Sequence, residues 1–368
     1  MPLSIEEERL YAAALSSLPH VGSKTLQGLY EIYHSFYAIW QAPVDELQSH
    51  LPGTKQIWES FRNLRQPYDW DTLTQNLTRY AVSLVTFTEE DYPPLLRQTY
   101  NPPVVLWYQG NLADLNQSVA IVGSRKATPY GLNAAQQLSE ELSRHGVVIV
   151  SGGARGIDTK AHQGAIAGQG RTIAVVGHGL DTIYPRENKK LFTTILDTGG
   201  AIVTEYAFGM APLAQNFPAR NRIIAGLSRG VIVVEAALKS GSLITADFAL
   251  EEGRDVFTVP GNIFSAMSRG TNALLRKGAI PVTQSEDILT EYGWNGQQRT
   301  VTTPSFSLTL SESAVLDTLT YDKSHTPDEL VYLTQLPPAQ LSPILLQLQL
   351  YGLIEEVPAG SYVKKGNL

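Results

Sequence analysis

Cysteine is absent from this chain of 368 residues, which excludes disulfide bonds and thiolate metal sites. Apolar runs are short, since none approaches the roughly 18 residues of a membrane span, and the N-terminus lacks the basic region of a signal peptide. The 7 histidines form no H-E-x-x-H motif and no tight cluster with carboxylates, which argues against a catalytic zinc site. We therefore expect a cytoplasmic protein with no membrane span, no metal ion and no other cofactor.

Several catalytic motifs are missing as well. The sequence has no G-x-x-x-x-G-K-[ST] run, which argues against a P-loop nucleotidase, and no G-x-S-x-G nucleophile elbow. The segments 123–126 (GSRK) and 152–156 (GGARG) do not fit the G-x-G-x-x-G fingerprint of dinucleotide-binding enzymes. Kinase-type and ATPase-type catalysis lose their main support, and no catalytic residue is predicted.

Acidic side chains outnumber basic ones in the whole chain, but most of the basic ones lie in its central part. The formal net charge of −7 argues mildly against bulk electrostatic attachment to nucleic acid. Residues 76–296 nevertheless carry 19 basic and 19 acidic side chains, whereas residues 1–75 carry 5 basic and 9 acidic ones. Several central cations fall at or near predicted strand ends: Arg125, Lys126, Arg155, Lys160, Lys189, Lys190, Arg220 and Arg222. This distribution predicts a focused basic pocket on an acidic body.

Hydrophobic periodicity divides the chain into three units and a linker. Residues 1–75 have mostly helical spacings and resemble a helix-hairpin-helix or sterile-alpha-like module. Residues 76–296 alternate apolar strands with amphipathic helices, which predicts an α/β, extended Rossmann-like core with a mostly parallel sheet. The polar stretch 297–308 is typical of a linker, and 309–368 has the helix–helix–helix–hairpin order of a winged-helix-like domain. Strands are predicted near 82–87, 104–108, 119–123, 147–151, 172–177, 201–205, 231–235, 255–259 and 279–283.

Glycine or a charged side chain follows the predicted strands at 119–125 (VAIVGSR), 147–158 (VVIVSGGARGID), 172–179 (TIAVVGHG) and 231–236 (VIVVEA). In an open parallel sheet, ligands bind outside the carboxyl ends of the strands, where these turns belong. Glycine lets backbone N–H groups approach an anion at a helix start. Phosphate-bearing ligands are therefore the first class to consider.

The segment 217–222 (FPARNR) places two arginines and an amide beside an aromatic residue. Arginine forks match the geometry of phosphates, and Asn221 adds an amide able to contact a base or a sugar. Rings in or next to the same loops offer stacking surfaces for bases: Tyr130, Tyr184, Phe208 and Phe217. This combination points to single-stranded nucleic acid. Salt bridges from the arginines to Glu205 and Glu235 are the alternative.

Polar residues at two other strand ends also leave alternatives open. Glu205 and Glu235 end predicted strands, where a carboxylate acts as a general base or binds a neighbouring arginine, and we favour the ion pair. Ser240 and Ser242 precede a helical stretch. Their hydroxyls either hold a phosphate or satisfy the free N–H groups of that helix.

These strings resemble the DNA-processing protein A (DprA/Smf) family of bacterial transformation, and they occur in family order across residues 119–272. The matching residues are 122–125 (VGSR), 151–158 (SGGARGID), Ala161, His162, 177–181 (GHGLD), Tyr184, Pro185, Asn188, Glu205, 217–222 (FPARNR), Glu235, 240–242 (SGS), 259–261 (VPG) and 269–272 (RGTN). The flanking helical and winged-helix-like regions also resemble longer members of the family.

The resemblance implies a non-enzymatic mediator that binds incoming single-stranded DNA and helps to load the RecA recombinase past single-strand-binding protein. It also implies a homodimer and a DNA site at the Rossmann-like pocket. Carried over by matching strings, Ser124 and Arg125 bind phosphate beside Gly123, while Gly152, Gly153 and Arg155 shape a second loop. Lys189 or Lys190 adds charge. The pocket is completed by Phe217, Arg220, Asn221 and Arg222, with Ser240 and Ser242 nearby.

Two other functions compete with this interpretation. The main rival is a nucleotide- or nucleoside-phosphate hydrolase on a Rossmann-like fold. Such enzymes of the cytokinin-activating type carry P-G-G-x-G-T-x-x-E, and the corresponding stretch here, 239–246 (KSGSLITA), lacks the glutamate. The second competing function is that of a transcription regulator that uses the terminal domain. The acidity of that domain weakens this interpretation, because it makes a protein-contact or vestigial role about as plausible as duplex binding.

Overall fold

The computed structural model describes residues 4–51, 53–294, 308–321, 323–357 and 360–365. Its N-terminal unit is helical and continues to residue 79, past the predicted boundary at residue 75. Its helices are α1 Ile5–Ser17, α2 Ser23–Tyr33, α3 Phe36–Gln41, α4 Val44–His50, α5 Lys55–Leu64 and α6 Trp70–Arg79. Helix α1 begins in a capping box between Ser4 and Glu7, which satisfies free N–H groups of its first turn.

The central unit is built on a mixed sheet. Its strands are β1 Ser83–Thr86, β2 Val105–Gly110, β3 Ser118–Val122, β4 Val148–Ser151, β5 Thr172–Val175, β6 Ala201–Thr204, β7 Gly230–Val233, β8 Asp255–Thr258 and β9 Ile280–Pro281. Within the described residues the strand order is β1-β2-β6-β5-β4-β3-β7-β8-β9. The β1–β2 and β2–β6 pairs are antiparallel, and the others are parallel. Every predicted strand is present, which confirms the mostly parallel α/β core.

The helices of the central unit cover both faces of this sheet. They are α7 Pro94–Arg97, α8 Pro129–Arg144, α9 Ile157–Ala167, α10 Lys189–Asp197, α11 Asn216–Gly226, α12 Gly241–Glu251, α13 Arg269–Arg276 and α14 Ser285–Tyr292. Side chains alternate along β3, so Val119 and Ile121 pack with α8 and α9. Ala120 and Val122 pack with α11 and α12 on the other face. Burial on both faces explains why these strands are continuous apolar runs.

The sheet also positions the N-terminal unit. Leu84 of β1 and Trp107 of β2 belong to the same apolar core as Leu15 and Trp40 of the helices. Gln27 of α2 donates a hydrogen bond to the Pro102 carbonyl at 2.6 Å. The helical unit therefore packs against the β1–β2 end, away from β3 and β7.

The C-terminal unit has α15 Leu310–Thr318, α16 Pro327–Thr334, α17 Pro338–Leu350, β10 Ile354–Val357 and β11 Ser361–Lys364. Capping boxes at Thr309 and Thr326 begin its first two helices, and β10 pairs antiparallel with β11. This is the predicted helix–helix–helix–hairpin order. The predicted linker, 297–308, lies outside the described residues except for its last position. In the part of the chain that the structure describes, no helix is both long and apolar enough to cross a membrane.

Candidate nucleic-acid interface

A cleft of about 670 Å³ opens at the carboxyl ends of β3 and β7. The chain runs from β3 outward to β6 on one side and returns to β7 on the other, so the strand order reverses here. The polar, charged and aromatic residues that line the cleft include Ser124, Arg125, Lys126, Asp158, Tyr184, Phe217, Arg220, Asn221, Ser240 and Ser242. Gly152, Gly153 and Arg155 line an adjoining hollow. The fold thus brings together most of the predicted site residues.

The loop after β3 is held close to the start of α9. A Cβ added at Gly123 would lie 2.6 Å from Ile157 Cγ1, so the close approach requires glycine. Ser124 Oγ accepts a hydrogen bond from the Lys126 N–H at 3.0 Å. Arg125 is exposed, and its guanidinium lies 5.2 Å from the centre of the Phe217 ring. This loop therefore presents exposed positive charge at the cleft surface.

The loop after β4 is shaped by adjacent glycines. Gly153 adopts a φ of 66°, a conformation that favours glycine. A Cβ at Gly152 would meet Asp158 Oδ2 at 2.6 Å and Arg220 Nη2 at 2.7 Å. The exposed Arg155 in the same loop forms an ion pair with Glu187. Gly152 thus leaves the space that the Arg220 guanidinium occupies.

Arg220 supplies a buried cation to the cleft. Its side chain donates to the Gly152 carbonyl at 2.8 Å and to Asn221 Oδ1 at 3.3 Å, and the residue is only 3% exposed. Burial lowers the pKa of Arg220 to about 10, so it keeps its charge at neutral pH. Burial raises the pKa of Asp158, which accepts from the Ala154 N–H at 3.3 Å. The Arg220 charge is therefore held in the wall of the cleft, next to the Asp158 carboxylate that partly compensates it.

Arg222 points to a different partner from Arg220. It forms an ion pair with Glu205 and donates to the Asn101 carbonyl at 2.7 Å. The two charged side chains are 18% and 15% exposed, and Arg222 is not among the described residues that line the cleft. Burial raises the pKa of Glu205 while the charge of Arg222 opposes that shift. For Arg222, the alternative of a salt bridge to Glu205 matches the structure.

Among the described residues no arginine pairs with Glu235, so the favoured ion-pair interpretation is wrong for this residue. Its carboxylate accepts from the N–H and the hydroxyl of Thr128 at 2.8 and 2.7 Å. Thr128 is the N-cap of α8, where a carboxylate is stabilised by the free N–H groups of the first turn. Glu235 therefore fixes the start of α8.

The remaining predicted residues fall into two groups. Lys189 and Lys190 are exposed at the start of α10, and neither lines the cleft among the described residues. Ser240 caps α12 by accepting from the Ser242 N–H at 3.4 Å, the two hydroxyls lie 2.8 Å apart, and both serines line the cleft. The capping role of Ser240 is thus present, and it does not exclude a phosphate contact.

Aromatic rings line only part of the site. Tyr184 and Phe217 are neighbours at the cleft, with ring centres 5.6 Å apart. Phe208 instead packs against Trp107 at 5.1 Å in the N-terminal core. Tyr130 donates to the Pro260 carbonyl at 2.9 Å and is absent from the described cleft lining. Tyr184 and Phe217 are the rings available for stacking.

Asp158 and Met267 are among the cleft-lining residues that were not predicted as site residues. Asp158 follows the glycine-rich loop in the first turn of α9, and its position within 151–158 (SGGARGID) was the available signal. Met267 approaches Ser124, with 3.5 Å between Oγ and Sδ, and no sequence signal indicated it. Across the described residues, no group of His, Asp and Glu side chains has the arrangement of a metal site.

Two family models match this chain. One, DNA recombination-mediator protein A, matches residues 83–293, which include the whole cleft, and the other, DprA winged helix domain, matches residues 300–360. The chain belongs to the DNA recombination-mediator protein A family. The resemblance inferred from the motifs is therefore confirmed, as is the winged-helix assignment of the C-terminal unit.

Other members of the family share different fractions of their length with this chain. Protein Smf of Synechocystis sp. is 33% identical over 399 residues, covering 97% of this chain and 99% of the relative. Protein Smf of Escherichia coli is 49% identical over 207 residues, covering 56% of this chain but only 55% of that protein. DNA processing protein DprA of Streptococcus pneumoniae is 47% identical over 205 residues, 55% of this chain and 72% of that protein.

Solved structures show the same architecture. The X-ray structure of DNA processing protein A from Streptococcus pneumoniae superposes with a TM-score of 0.68 at 36% identity, covering 78% of this chain and 99% of that one. DNA processing protein A from Helicobacter pylori gives a TM-score of 0.52 at 34% identity, over 57% of this chain and 95% of that one. The Helicobacter pylori structure was described for its single-stranded DNA binding mode.

Proposed function

We propose that this protein binds single-stranded DNA in the cleft and acts, without catalysis, as a mediator of DNA recombination. The observation that carries the proposal is the buried Arg220 guanidinium beside the exposed Arg125 and the Phe217 and Tyr184 rings. The cations hold the phosphates, while the rings stack on the bases. Phosphate contacts position a strand without reading its sequence, so binding is expected to be largely sequence-independent.

The relatives support the nucleic-acid part of this proposal. The Helicobacter pylori neighbour is described by its single-stranded DNA binding mode, and curated relatives carry the name DNA processing protein. The same proposal includes delivery of the strand to RecA, displacement of single-strand-binding protein and assembly as a homodimer. The first of these is supported by the description of the matching family model as a recombination mediator.

The absence of catalysis is supported by what the carboxylates at the strand ends contact. Glu205 is paired with Arg222, and Glu235 binds the start of α8, so neither is free to act as a general base. A hydrolase is the rival, and it would release base or ribose phosphate from nucleoside monophosphates. We expect no release above background under conditions where DNA binding is complete.

Salt dependence offers the first test of the proposed contacts. Each phosphate neutralised on a single strand contributes roughly −0.7 to the slope of log K against log salt. The cations of the cleft and the adjoining hollow are Arg125, Lys126, Arg155 and Arg220, so three or four contacts predict a slope of about −2 to −3. Fluorescence anisotropy of a labelled dT oligonucleotide at several salt concentrations measures it, with a duplex competitor as control. A slope near zero, or equal competition by duplex, would contradict the proposal.

Gly152→Ala tests whether the site depends on the space beside Arg220. The added methyl group would lie within 2.7 Å of the guanidinium, which must then move. We expect a loss of affinity for single-stranded DNA of roughly tenfold, because a displaced charged hydrogen bond is worth about 1.5–3 kcal/mol. Gly22→Ala is the matched control, since a Cβ there meets nothing within 4 Å. Equal affinities of the two folded variants would refute the assigned role of Gly152.

A further inference from the structure

The winged-helix domain contacts the central unit through its hairpin. Lys160 Nζ on α9 donates to Glu355 Oε1 on β10 at 2.6 Å. Asn133 Nδ2 on α8 donates to the Lys364 carbonyl of β11 at 3.1 Å. A hollow of about 300 Å³ between α8 and Tyr321 adjoins this contact. An acidic strand of the hairpin thus lies on a lysine of the central unit.

The Lys160 ammonium forms an anion-binding site that is already held in place by the helices around it. Its side chain is only 15% exposed, and its ammonium also donates to Gln136 Oε1 on α8 at 3.1 Å. Helices α8 and α9 pack so closely that a Cβ at Gly164 would lie 2.1 Å from the Gln136 carbonyl, which fixes the two helices. The site is defined by Lys160 and Gln136, and its present anion is the Glu355 carboxylate.

This site borders the DNA cleft. The Lys160 N–H donates to the Gly156 carbonyl at 3.1 Å, so the lysine lies one helical turn beyond that glycine. A Cβ at Gly156 would be 2.4 Å from the Ser124 carbonyl oxygen and 3.0 Å from Arg125 Cα, so Gly156 touches the first cleft loop. Lys160 therefore lies one helical turn beyond a residue that touches the loop of Ser124 and Arg125.

The hairpin carboxylate is weakly held in this position. Glu355 is 35% exposed, so the ion pair reaches the surface on the hairpin side, and contacts of this kind between domains open readily. Helix α17, the third helix of the domain, has no Lys or Arg between Pro338 and Leu350, so it lacks the charge to bind a duplex. A DNA phosphate competes with Glu355 for Lys160 on equal chemical terms, because both are oxyanions.

We propose that Lys160, with Gln136, is a second phosphate site for a single strand that extends beyond the cleft. In this arrangement Glu355 occupies the site until a longer strand displaces the hairpin. The inference rests on the proposed function of the cleft. The inference adds a phosphate contact at Lys160 that short strands do not reach. It also adds a carboxylate, Glu355, that lowers the affinity for long strands.

The test compares dT oligonucleotides of about 6 and about 20 nucleotides by anisotropy across salt concentrations. In the full-length protein, Glu355→Gln should raise affinity for the longer strand roughly 3- to 10-fold and leave the shorter one unchanged. Lys160→Gln should lower the magnitude of the salt slope for the longer strand by about 0.7, again without an effect on the shorter. Glu356→Gln is the matched control, since Glu356 is exposed on the same strand.

Each outcome bears on a separate claim. The inference is overturned if Glu356→Gln produces the same gain as Glu355→Gln, since a general charge effect then explains it. It is also overturned if Lys160→Gln leaves affinity and slope for the longer strand unchanged while urea unfolding shows a folded protein. Failure of the wild type to bind the short strand instead refutes the proposed function of the cleft.

Discussion

Affinity for single-stranded DNA is expected to fall roughly 10- to 100-fold when Arg220 is replaced by glutamine. The Arg220 guanidinium is buried in the cleft wall, held by the Gly152 carbonyl and the Asn221 amide oxygen, and still has N–H groups to offer a ligand. A charged hydrogen bond in such surroundings is worth about 1.5–3 kcal/mol, and glutamine supplies neither the charge nor the fork. Anisotropy with a labelled dT oligonucleotide measures the loss.

The same experiment needs variants that separate binding from folding. Arg220→Gln leaves Asp158 with less compensating charge, so its urea unfolding curve must be recorded beside its affinity. Arg125→Ala avoids this difficulty because Arg125 is exposed, and we expect it to lower affinity roughly tenfold with unchanged stability. Arg276→Ala removes the same charge at an exposed arginine on α13 that is not part of the cleft lining. Identical affinities for Arg125→Ala and Arg276→Ala would remove the cleft from the proposal.

Arg222→Met is expected to destabilise the protein by about 3 kcal/mol, with little effect on the DNA affinity of the folded molecules. The substitution leaves the Glu205 carboxylate buried without its partner. Removing one member of a buried pair is costly, whereas removing both is often nearly neutral. The double variant Glu205→Gln/Arg222→Met should therefore regain most of the stability lost in urea unfolding.

The pH dependence of this loss has a definite sign. Burial raises the pKa of Glu205, and without Arg222 nothing opposes that shift. The loss of stability in Arg222→Met is complete at pH values above the raised pKa of Glu205. It disappears as the pH falls below the ordinary glutamate pKa of about 4.3, because the neutral carboxyl needs no charged partner. A deficit that stays constant from neutral to acidic pH would contradict this explanation. A folded Arg222→Met protein that loses as much affinity as Arg125→Ala would place Arg222 among the DNA contacts.

The sequence alone predicted the strands and the edge of the sheet at which the cleft lies. Buried parallel strands must be apolar on both faces, so each appears as a continuous run such as 119–123 (VAIVG). Gly123 and Gly152 mark turns where the backbone approaches a neighbour too closely for a Cβ. Both signals are local in the chain, and both follow from steric and hydrophobic requirements that act on each segment separately.

The roles of the charged residues were decided only by the tertiary structure. Arg220 and Arg222 are two positions apart on α11, yet one faces the cleft and the other faces Glu205, because successive residues of a helix point in different directions. Phe208, Glu235 and Lys160 likewise have partners distant in sequence: Trp107, Thr128 and Glu355. Long polar side chains reach whichever charge the packed elements bring near them. Composition and spacing placed a set of cations at the carboxyl edge of the sheet, whereas the packing of helices on the sheet determined which of them line the cleft.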